Sequence, residues 1–441
     1  MRTVKWSAFL SGLCVVAVAL GMFTASARAD ITTERGASIL AFPKVLADGT
    51  ADTIIQIANT SNNMVHARCF YVNAQLLRPA LPEDPVFNPR QWFEIDFVIW
   101  LTKQQPTSWQ VSTGRFINPS DGCFSGNTID PTQCKDAGID PGAIPPVPAD
   151  FVGELKCIEV DMSDNPIGGN HLKGEATIKY GPDVAKYNAI GIEGTERAGE
   201  TGNELRLDQP ADTEDPVGQY NACPNVLIIN HLAEGKIDPV IADQGFGGSC
   251  QPNPAVAPAE AEPVRPNRCE TDADCCGEGE IPPCMRICEN GSSIIVDPLT
   301  SRVASLTSAT LTDVTLIPCT QDFEEQIPGR VKIQIEVFNE FEQFFSASTT
   351  VECWQNFRLF ELQSPNNPEL SPFHFANLGT EVAQTRLIPA EGNGAVIGVI
   401  GVLRADAQSR LTRVLLNTFN EGDRLTATEG EIVDVITLAG P

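Results

Sequence analysis

The sequence predicts an all-β protein of two tandem antiparallel β-sandwich domains, Ig-like or jelly-roll-like, joined by a disulfide-rich linker. Runs of β-branched and aromatic residues alternate with polar residues at period two, which is the pattern of a strand. Gly, Pro, Asn and Asp interrupt these runs at short intervals. Sustained i, i+3, i+4 apolar spacing with caps, which long helices need, does not occur. Many short strands with frequent turns are typical of sandwiches.

Residues 1–29 have the three parts of a secretory signal peptide. Arg2 and Lys5 give a positive start, the run from Ala8 to Phe23 is apolar, and Ala27 to Ala29 form a small-x-small cleavage site. The apolar run is shorter than the roughly 20 residues that a spanning helix needs. We therefore expect a secreted protein, extracellular, periplasmic or at the cell surface, with no membrane insertion.

The mature chain is expected to be strongly acidic. The whole sequence carries 57 acidic and 30 basic residues, and loss of Arg2, Lys5 and Arg28 with the signal takes its net charge from −27 to −30. Such a surface repels nucleic-acid phosphates and anionic lipids, because binding to either depends on Lys and Arg. The sequence therefore predicts no nucleic-acid partner.

The first sandwich is predicted over residues 30–244, with long loop insertions. Thr53–Asn59 and Met64–Val72 alternate like strands, and the Asn-rich turn between them predicts a hairpin. Phe151–Met162 and His171–Tyr180 predict a second strand pair about a polar turn. A last buried strand, Val226–Leu232, is expected to close this domain.

A compositional change marks the predicted linker at 245–292. Its first half is rich in Pro, Ala and Gly, and five cysteines follow within twenty residues. So small and polar a segment needs disulfides to hold it. The second sandwich is predicted over 293–441, where Arg330–Phe338 and Phe344–Trp354 alternate about a short turn.

The cysteine count predicts a disulfide framework. Removal of the signal takes Cys14 and leaves 13 of the 14 cysteines, which in an oxidising compartment should mostly be paired. The predicted pairs are Cys69 with Cys157, Cys123 with Cys134, Cys223 with Cys250, and Cys319 with Cys353. The odd thiol is expected among Cys269, Cys275, Cys276, Cys284 and Cys288, for which zinc binding through the last two is a less favoured interpretation.

Three segments of the first domain carry a resemblance. Phe42–Val45 (FPKV), Asp52–Ser61 (DTIIQIANTS) and the Cys-aromatic run Cys69–Tyr71 resemble the opening of β-sandwich modules of secreted and surface proteins of bacteria. Those modules are largely uncharacterised. The resemblance implies an extracellular location and a sandwich fold, and it implies no activity.

Acidic loops make calcium the leading metal candidate. Ca²⁺ needs six to eight oxygen ligands, and these loops place several carboxylates close together. None has the spacing of an EF-hand loop, so solvated loops without a cofactor are the favoured interpretation. The candidate ligands are Asp208, Asp212, Asp215, Asp272 and Asp274.

No catalytic pattern stands out among the remaining residues. Four histidines occur without metal-ligand spacing, and a glycosidase pair would have to come from carboxylates that an acidic chain supplies by chance. The carboxylates considered are Glu94, Asp96, Glu154, Glu159 and Asp161.

The sequence therefore predicts a secreted, non-enzymatic structural or adhesive protein of the cell surface or extracellular matrix. Its expected partners are copies of itself, other surface proteins or glycans. The alternative is a carbohydrate-binding or carbohydrate-cleaving protein, in which exposed indoles would stack on sugars, although dense apolar surroundings favour a core position for them. The indoles considered are Trp92, Trp100, Trp109 and Trp354.

Overall fold

The computed structural model describes most of the chain between residues 31 and 439. The described residues are 31–76, 91–115, 124–125, 128–129, 142–210, 217–232, 250–251, 284–288, 293–297, 302–305, 310–359, 362, 371–380, 382–390, 394–405, 411–425 and 434–439. Several predictions fall outside them: the signal peptide, Cys123, Cys134, Asp212, Asp215, Cys269, Asp272, Asp274, Cys275 and Cys276.

The described residues form strands throughout, with one four-residue helix, α1 (Phe375–Leu378). This confirms the all-β, sandwich-type fold. The strands of the first half are β1 (Ile39–Ala47), β2 (Asp52–Asn59), β3 (Val65–Asn73), β4 (Phe93–Leu101), β5 (Pro106–Gln110), β6 (Phe124–Ser125), β7 (Thr128–Ile129), β8 (Phe151–Val160), β9 (Leu172–Tyr180), β10 (Asp183–Asn188), β11 (Ile190–Ile192), β12 (Glu204–Gln209), β13 (Tyr220–Asn221) and β14 (Pro224–Leu232).

The described residues of the second half form fourteen further strands. They are β15 (Cys250–Gln251), β16 (Cys284–Cys288), β17 (Ser293–Asp297), β18 (Arg302–Ser305), β19 (Thr310–Pro318), β20 (Gln321–Asp322), β21 (Arg330–Asn339), β22 (Phe344–Glu352), β23 (Gln355–Arg358), β24 (Val382–Pro389), β25 (Val396–Ala405), β26 (Leu411–Asn417), β27 (Phe419–Asp423) and β28 (Asp434–Thr437).

The first half is organised around a nine-stranded sheet, the large sheet. Its main order is β10-β9-β2-β1-β8-β3-β4, with β11 paired to β1 and β5 to β2. β1 pairs with β8 along its length but meets β2 only at Ala47, so the sheet turns at this point. Apolar side chains from both sides then share one core, in which Trp109 of β5 packs edge-on against Phe97 of β4.

The two strand pairs predicted in the first half exist as strands but do not pair as hairpins. β2 pairs with β9 and β5, whereas β3 pairs with β4 and β8. The Asn59 amide of the connecting turn donates to the carbonyls of Leu101 and Thr102, which belong to another chain segment. These bonds hold the turn as an arch between non-adjacent strands. Likewise β8 pairs with β1 and β3, and β9 with β2 and β10.

Two sheets form the sandwich of the second half. The five-stranded sheet has the order β22-β21-β24-β14-β27, and the β19 sheet has the order β23-β19-β25-β26. β21 and β22 form the predicted hairpin, with Phe338 opposite Phe344. Between the sheets, aliphatic side chains such as Ile333, Leu387 and Ile400 are buried in one core.

Strands on the two sides of the predicted boundary at residue 244 share sheets. β14, expected to close the first domain, lies between β24 and β27 of the second sandwich. The connecting sheet, β13-β12-β28-β20, joins β12 of the first half to β28 near the end of the chain. A further sheet, β15-β16-β17-β18, runs across the predicted boundary at residue 292 and places Cys250 opposite Cys288 in register.

The disulfides among the described residues agree with one predicted pair and correct two. Cys69 is bonded to Cys157, and the two residues are register neighbours on β3 and β8. Cys223 is bonded to Cys319, so the predicted pairs Cys223 with Cys250 and Cys319 with Cys353 were wrong. The prediction failed because it paired cysteines within each half, whereas β14 crosses into the second sandwich and brings Cys223 beside the end of β19.

Candidate functional site

The edges of the sheets distinguish one surface from the rest. An edge strand presents unpaired backbone N–H and C=O groups, and proteins usually protect long edges with charges, prolines or covering segments. Within the described residues, four edge strands have six residues or more: β4, β10, β22 and β26.

β10 and β26 cover each other. The backbone N–H of Arg413 in β26 donates to Asp183 Oδ2 in β10 over 2.8 Å. The side-chain amide of Asn417 donates to the Asn188 carbonyl over 3.0 Å. The large sheet and the β19 sheet therefore meet at these two strands, which protects both edges.

β4 is protected by charge. Glu94 and Asp96 are two residues apart and so point to the same face of this strand. Burial, and secondarily the charge of Asp96, raises the pKa of Glu94 to about 7. A second copy of β4 would have to cover these acidic side chains and the ion pair of Asp96 with Arg68, 3.0 Å apart, which opposes strand pairing at this edge.

β22 has neither form of protection. Residues Phe344 to Val351 (FFSASTTV) contain no charged residue and no proline in a chain that is 20% charged. Its only strand partner among the described residues is β21. Beside it, the side chains of Phe341 and Phe344 are 71% and 52% exposed. The β22 edge, defined as residues 341–352, is therefore the candidate interaction site.

The hairpin turn fixes the position of this edge. Asn339 Oδ1 accepts the backbone N–H groups of Phe341 and Gln343, both over 2.9 Å. The Asn339 side-chain amide donates to the Leu378 carbonyl over 2.7 Å, which ties the turn to α1. Along β22, Ala347 and Val351 are buried in the sandwich core. These contacts preorganise the outer edge.

The tryptophans predicted as a sugar platform mostly lie in the core. Trp92, Trp109 and Trp354 are at most 8% exposed. The Trp354 indole N–H donates to the Pro43 carbonyl over 2.7 Å, and that of Trp109 donates to the Tyr71 hydroxyl. Trp100 is partly buried and stacks on His66 with ring centroids 4.0 Å apart. These indoles do not form one exposed platform.

The carboxylates considered for catalysis are dispersed among structural contacts. Glu154 is fully buried and accepts from Lys156 over 2.7 Å and from the Gln321 amide over 2.7 Å. Glu159 contacts His171 Nδ1 at 2.8 Å, and burial raises the pKa of Glu159. Glu154 and Glu159 thus already have side-chain hydrogen-bonding partners.

Of the calcium candidates, the structure describes Asp208 alone. Its carboxylate contacts the Arg206 guanidinium at 3.1 Å and accepts the Gln219 backbone N–H over 3.1 Å. Within the described part of the chain, no three His, Cys, Asp or Glu side chains group as metal ligands would. Calcium binding by the acidic loops stays a prediction.

Comparisons with protein-family models and with curated proteins find no match to this chain. The resemblance to bacterial surface modules therefore stays a prediction. The two disulfides are of the kind that forms and persists in oxidising compartments such as the extracellular space. In the described ranges, no helix is long and apolar enough to cross a bilayer.

Proposed function

We propose that the protein is a secreted, non-enzymatic structural or adhesive protein that assembles with copies of itself through the β22 edge. The observation that carries this proposal is the long edge strand β22, whose residues Phe344–Val351 include no charge and no proline, together with the exposed side chains of Phe341 and Phe344. Backbone pairing across such an edge supplies affinity without a preformed pocket. The signal-like first 29 residues and the disulfides support a place outside the cytoplasm.

A second copy fits this edge because the strand is self-complementary. In an antiparallel pair about a two-fold axis at Ser348, Ser348 would face Ser348 of the other copy, Ser346 would face Thr350, and Phe344 would face Glu352. In this register no like charges meet directly. Charge favours association through the β22 edge over association through other surfaces. The net charge of −27 makes most surfaces of two copies repel each other.

The test is the size of the mature protein across concentration, measured by light scattering and negative-stain microscopy. We expect dimers or larger assemblies that strengthen as salt screens the net charge. Replacing both exposed serines of the edge (Ser346→Lys with Ser348→Lys) should weaken assembly at least tenfold, because lysines from the two copies would meet at the axis.

Gln334→Lys is the matched control. Gln334 is exposed and lies opposite Ser348 on β21, one strand further from the edge. It adds one positive charge to the same face, where the edge variant adds two, and it should leave assembly within twofold of wild type. A wild-type protein that stays monomeric at every concentration, or equal weakening in both variants, would contradict assembly through this edge.

A further inference from the structure

A buried lysine contacts both a carboxylate and a carboxamide where the two halves of the chain meet. The side chain of Lys44, on β1, is 5% exposed. Its ammonium forms an ion pair with Asp313 of β19 and donates to Asn356 Oδ1 of β23 over 3.1 Å. Lys44 and Asn356 are 312 residues apart in the chain, so only the folded structure brings the amine to the amide.

Contacts from both halves of the chain fix the lysine. The Lys44 backbone N–H donates to the Tyr187 hydroxyl over 3.1 Å, and that hydroxyl donates to the Lys44 carbonyl over 2.7 Å. One residue earlier, the Pro43 carbonyl accepts the indole N–H of Trp354 over 2.7 Å. The backbone of Lys44 is therefore held in place, and its side chain stays beside the carboxylate and the amide.

A hydroxyl group polarises the amide of Asn356. Asn356 and Thr315 are register neighbours on β23 and β19, and Thr315 is fully buried. The Thr315 hydroxyl donates to Asn356 Oδ1 over 2.7 Å. A preorganised donor at a carbonyl oxygen stabilises the negative charge that this oxygen acquires when a nucleophile adds to its carbon. Thr315 is therefore placed to assist an attack on the amide of Asn356.

A glycine makes room for the carboxylate of Asp313. Gly401 of β25 is the register neighbour of Asp313 on β19. A Cβ at Gly401 would lie 2.2 Å from Asp313 Oδ1, a separation that forces one of the two atoms to move. The carboxylate packs against this glycine and contacts the Lys44 ammonium, so it is placed to accept a proton from it.

We propose that Lys44 and Asn356 form an intramolecular amide bond after the chain has folded. Asp313 takes a proton from the Lys44 ammonium, and the lone pair of the amine then attacks Cγ of Asn356. Because Cγ is bonded to Oδ1 at about 1.2 Å, the amine lies at most about 4.3 Å from Cγ. Rotation about the broad terminal torsion of Asn356 brings the two atoms towards the roughly 3–3.5 Å of an attack geometry.

Release of an ammonium ion balances the reaction. A bond forms between Lys44 Nζ and Asn356 Cγ, and the bond from Cγ to the amide nitrogen breaks. The leaving nitrogen takes one proton from the Lys44 nitrogen and the proton held by Asp313, which ends as the carboxylate it was. No atom is oxidised or reduced. Asn356 is exposed and lines a polar cavity of about 320 Å³ with Lys44 and Asp313, through which the ammonium ion leaves.

The second buried lysine, Lys156, lacks two features of this site. Its Nζ also contacts an amide oxygen, that of Gln321, beside Glu154. Gln321 is 2% exposed, so released ammonia has no open path, and among the described residues no hydroxyl donates to the Gln321 amide oxygen. We therefore expect Lys156 to keep its ion pair with Glu154, which makes it an internal control.

The experiment is mass spectrometry of the mature protein after reduction and trypsin digestion. The linked product contains residues 36–68, uncleaved after Lys44, joined to residues 333–358, and is lighter than the two peptides together by one ammonia molecule. We expect it from most molecules, together with normal cleavage after Lys156. If every molecule gave residues 36–44 and an unlinked 333–358, or if a link formed at Lys156 and not at Lys44, the proposal would be wrong.

Two variants assign the reaction to these side chains. Asp313→Asn removes the base and Thr315→Val removes the hydroxyl, and such groups each contribute about a hundredfold or more to rates. Each variant should lower the linked fraction of freshly purified protein at least tenfold. The matched control is Asp48→Asn, which neutralises another carboxylate of the same cavity and should leave that fraction within twofold of wild type. The Cys223 to Cys319 disulfide in a non-reducing digest verifies folding, and a folded Asp313 or Thr315 variant linked as fully as the control would contradict the mechanism.

Discussion

The junction between the two halves of the chain and the core of the second sandwich are stabilised by different interactions. At the junction, Glu154 and Lys156 are fully buried beside Gln321, which belongs to a chain segment some 165 residues further along. In the second sandwich, the space between the sheets is filled by aliphatic side chains, among them Ile333 and Leu387. The junction therefore adds directional polar contacts to an apolar cluster in which Phe70 stacks on Phe323, whereas apolar burial dominates the sandwich core.

The difference teaches how distant segments are fixed in register. Apolar packing is non-directional and tolerates small shifts, whereas a buried ion pair is stable only when each partner is in place. Asp434 makes the same point, since it is fully buried and accepts from the Thr320 hydroxyl and the Ala395 N–H, both over 2.9 Å. Burial raises the pKa of Asp434. We interpret these polar contacts as fixing how the two halves fit together.

The largest expected effect follows from removing the ammonium group at the junction. Lys156→Met leaves the Glu154 carboxylate buried with the Gln321 amide as its remaining partner, and such a loss typically costs about 3–5 kcal/mol of unfolding free energy. Adding Glu154→Gln should recover most of the loss, because no uncompensated charge remains. Urea unfolding measures both variants.

The control for this prediction lies in the second core. Ile333→Val removes one methylene group from a fully buried side chain and should cost about 0.5–1.5 kcal/mol. If Lys156→Met cost no more than Ile333→Val, the buried pair would contribute little and the comparison between the two regions would fail.

A smaller effect is expected from the disulfide that joins the halves. Cys223 and Cys319 are 96 residues apart in sequence, and replacing both by alanine should cost about 2–4 kcal/mol. The Cys69 and Cys157 bridge, with a separation of 88, closes a loop of similar length within the large sheet. Both double variants should therefore lose similar stability in non-reducing urea unfolding.

The shape of the unfolding curve distinguishes the two bridges. Without the Cys223 to Cys319 bond, the halves are held by non-covalent contacts only, namely strand pairing, polar contacts and the apolar cluster around Phe70 and Phe323, so we expect a broader transition or two separate ones. Loss of the Cys69 to Cys157 bond should leave one transition. Two identical single transitions would mean that the junction does not depend on its disulfide.

The strands themselves could be predicted from the sequence, because period-two alternation is a local property. The β21 and β22 hairpin was also predicted correctly, since a short turn leaves neighbouring strands little choice of partner. The turn at Asn59 was misread because its side chain bonds to carbonyls at 101 and 102, which no local pattern reveals. Strand partners of this kind depend on the tertiary fold.

The candidate site could be predicted only in part. The uncharged run of Phe344–Val351 is visible in the sequence, but its meaning depends on the strand lying at an edge, which the order of the sheet decides. The ion pair of Lys44 with Asp313 has no sequence signal either, because the two residues are far apart in the chain and meet only when the halves do.

The last expected effect concerns a polar group within the apolar second core, and it depends on pH. His231 on β14 is 7% exposed, and its Nε2 lies 2.8 Å from Thr385 Oγ1. Burial lowers the pKa of His231 to about 4, so this imidazole is neutral at physiological pH. The stability that the neutral imidazole of His231 contributes is fully present above pH 6.5, which is about the pKa of a histidine in the unfolded chain.

That contribution should be lost as the pH falls from 6.5 towards 4, amounting to about 3 kcal/mol at pH 4. Glu159 and Asp434 have raised pKa values and give the opposite slope, so wild type must be compared with His231→Gln, which keeps both carboxyl groups. The variant should be less stable than wild type at pH 8, and the gap should narrow steadily as the pH approaches 4. If the unfolding free energies of wild type and His231→Gln changed in parallel with pH over this range, His231 would titrate alike in the folded and unfolded chains. The second core would then tolerate a charge as readily as the junction does.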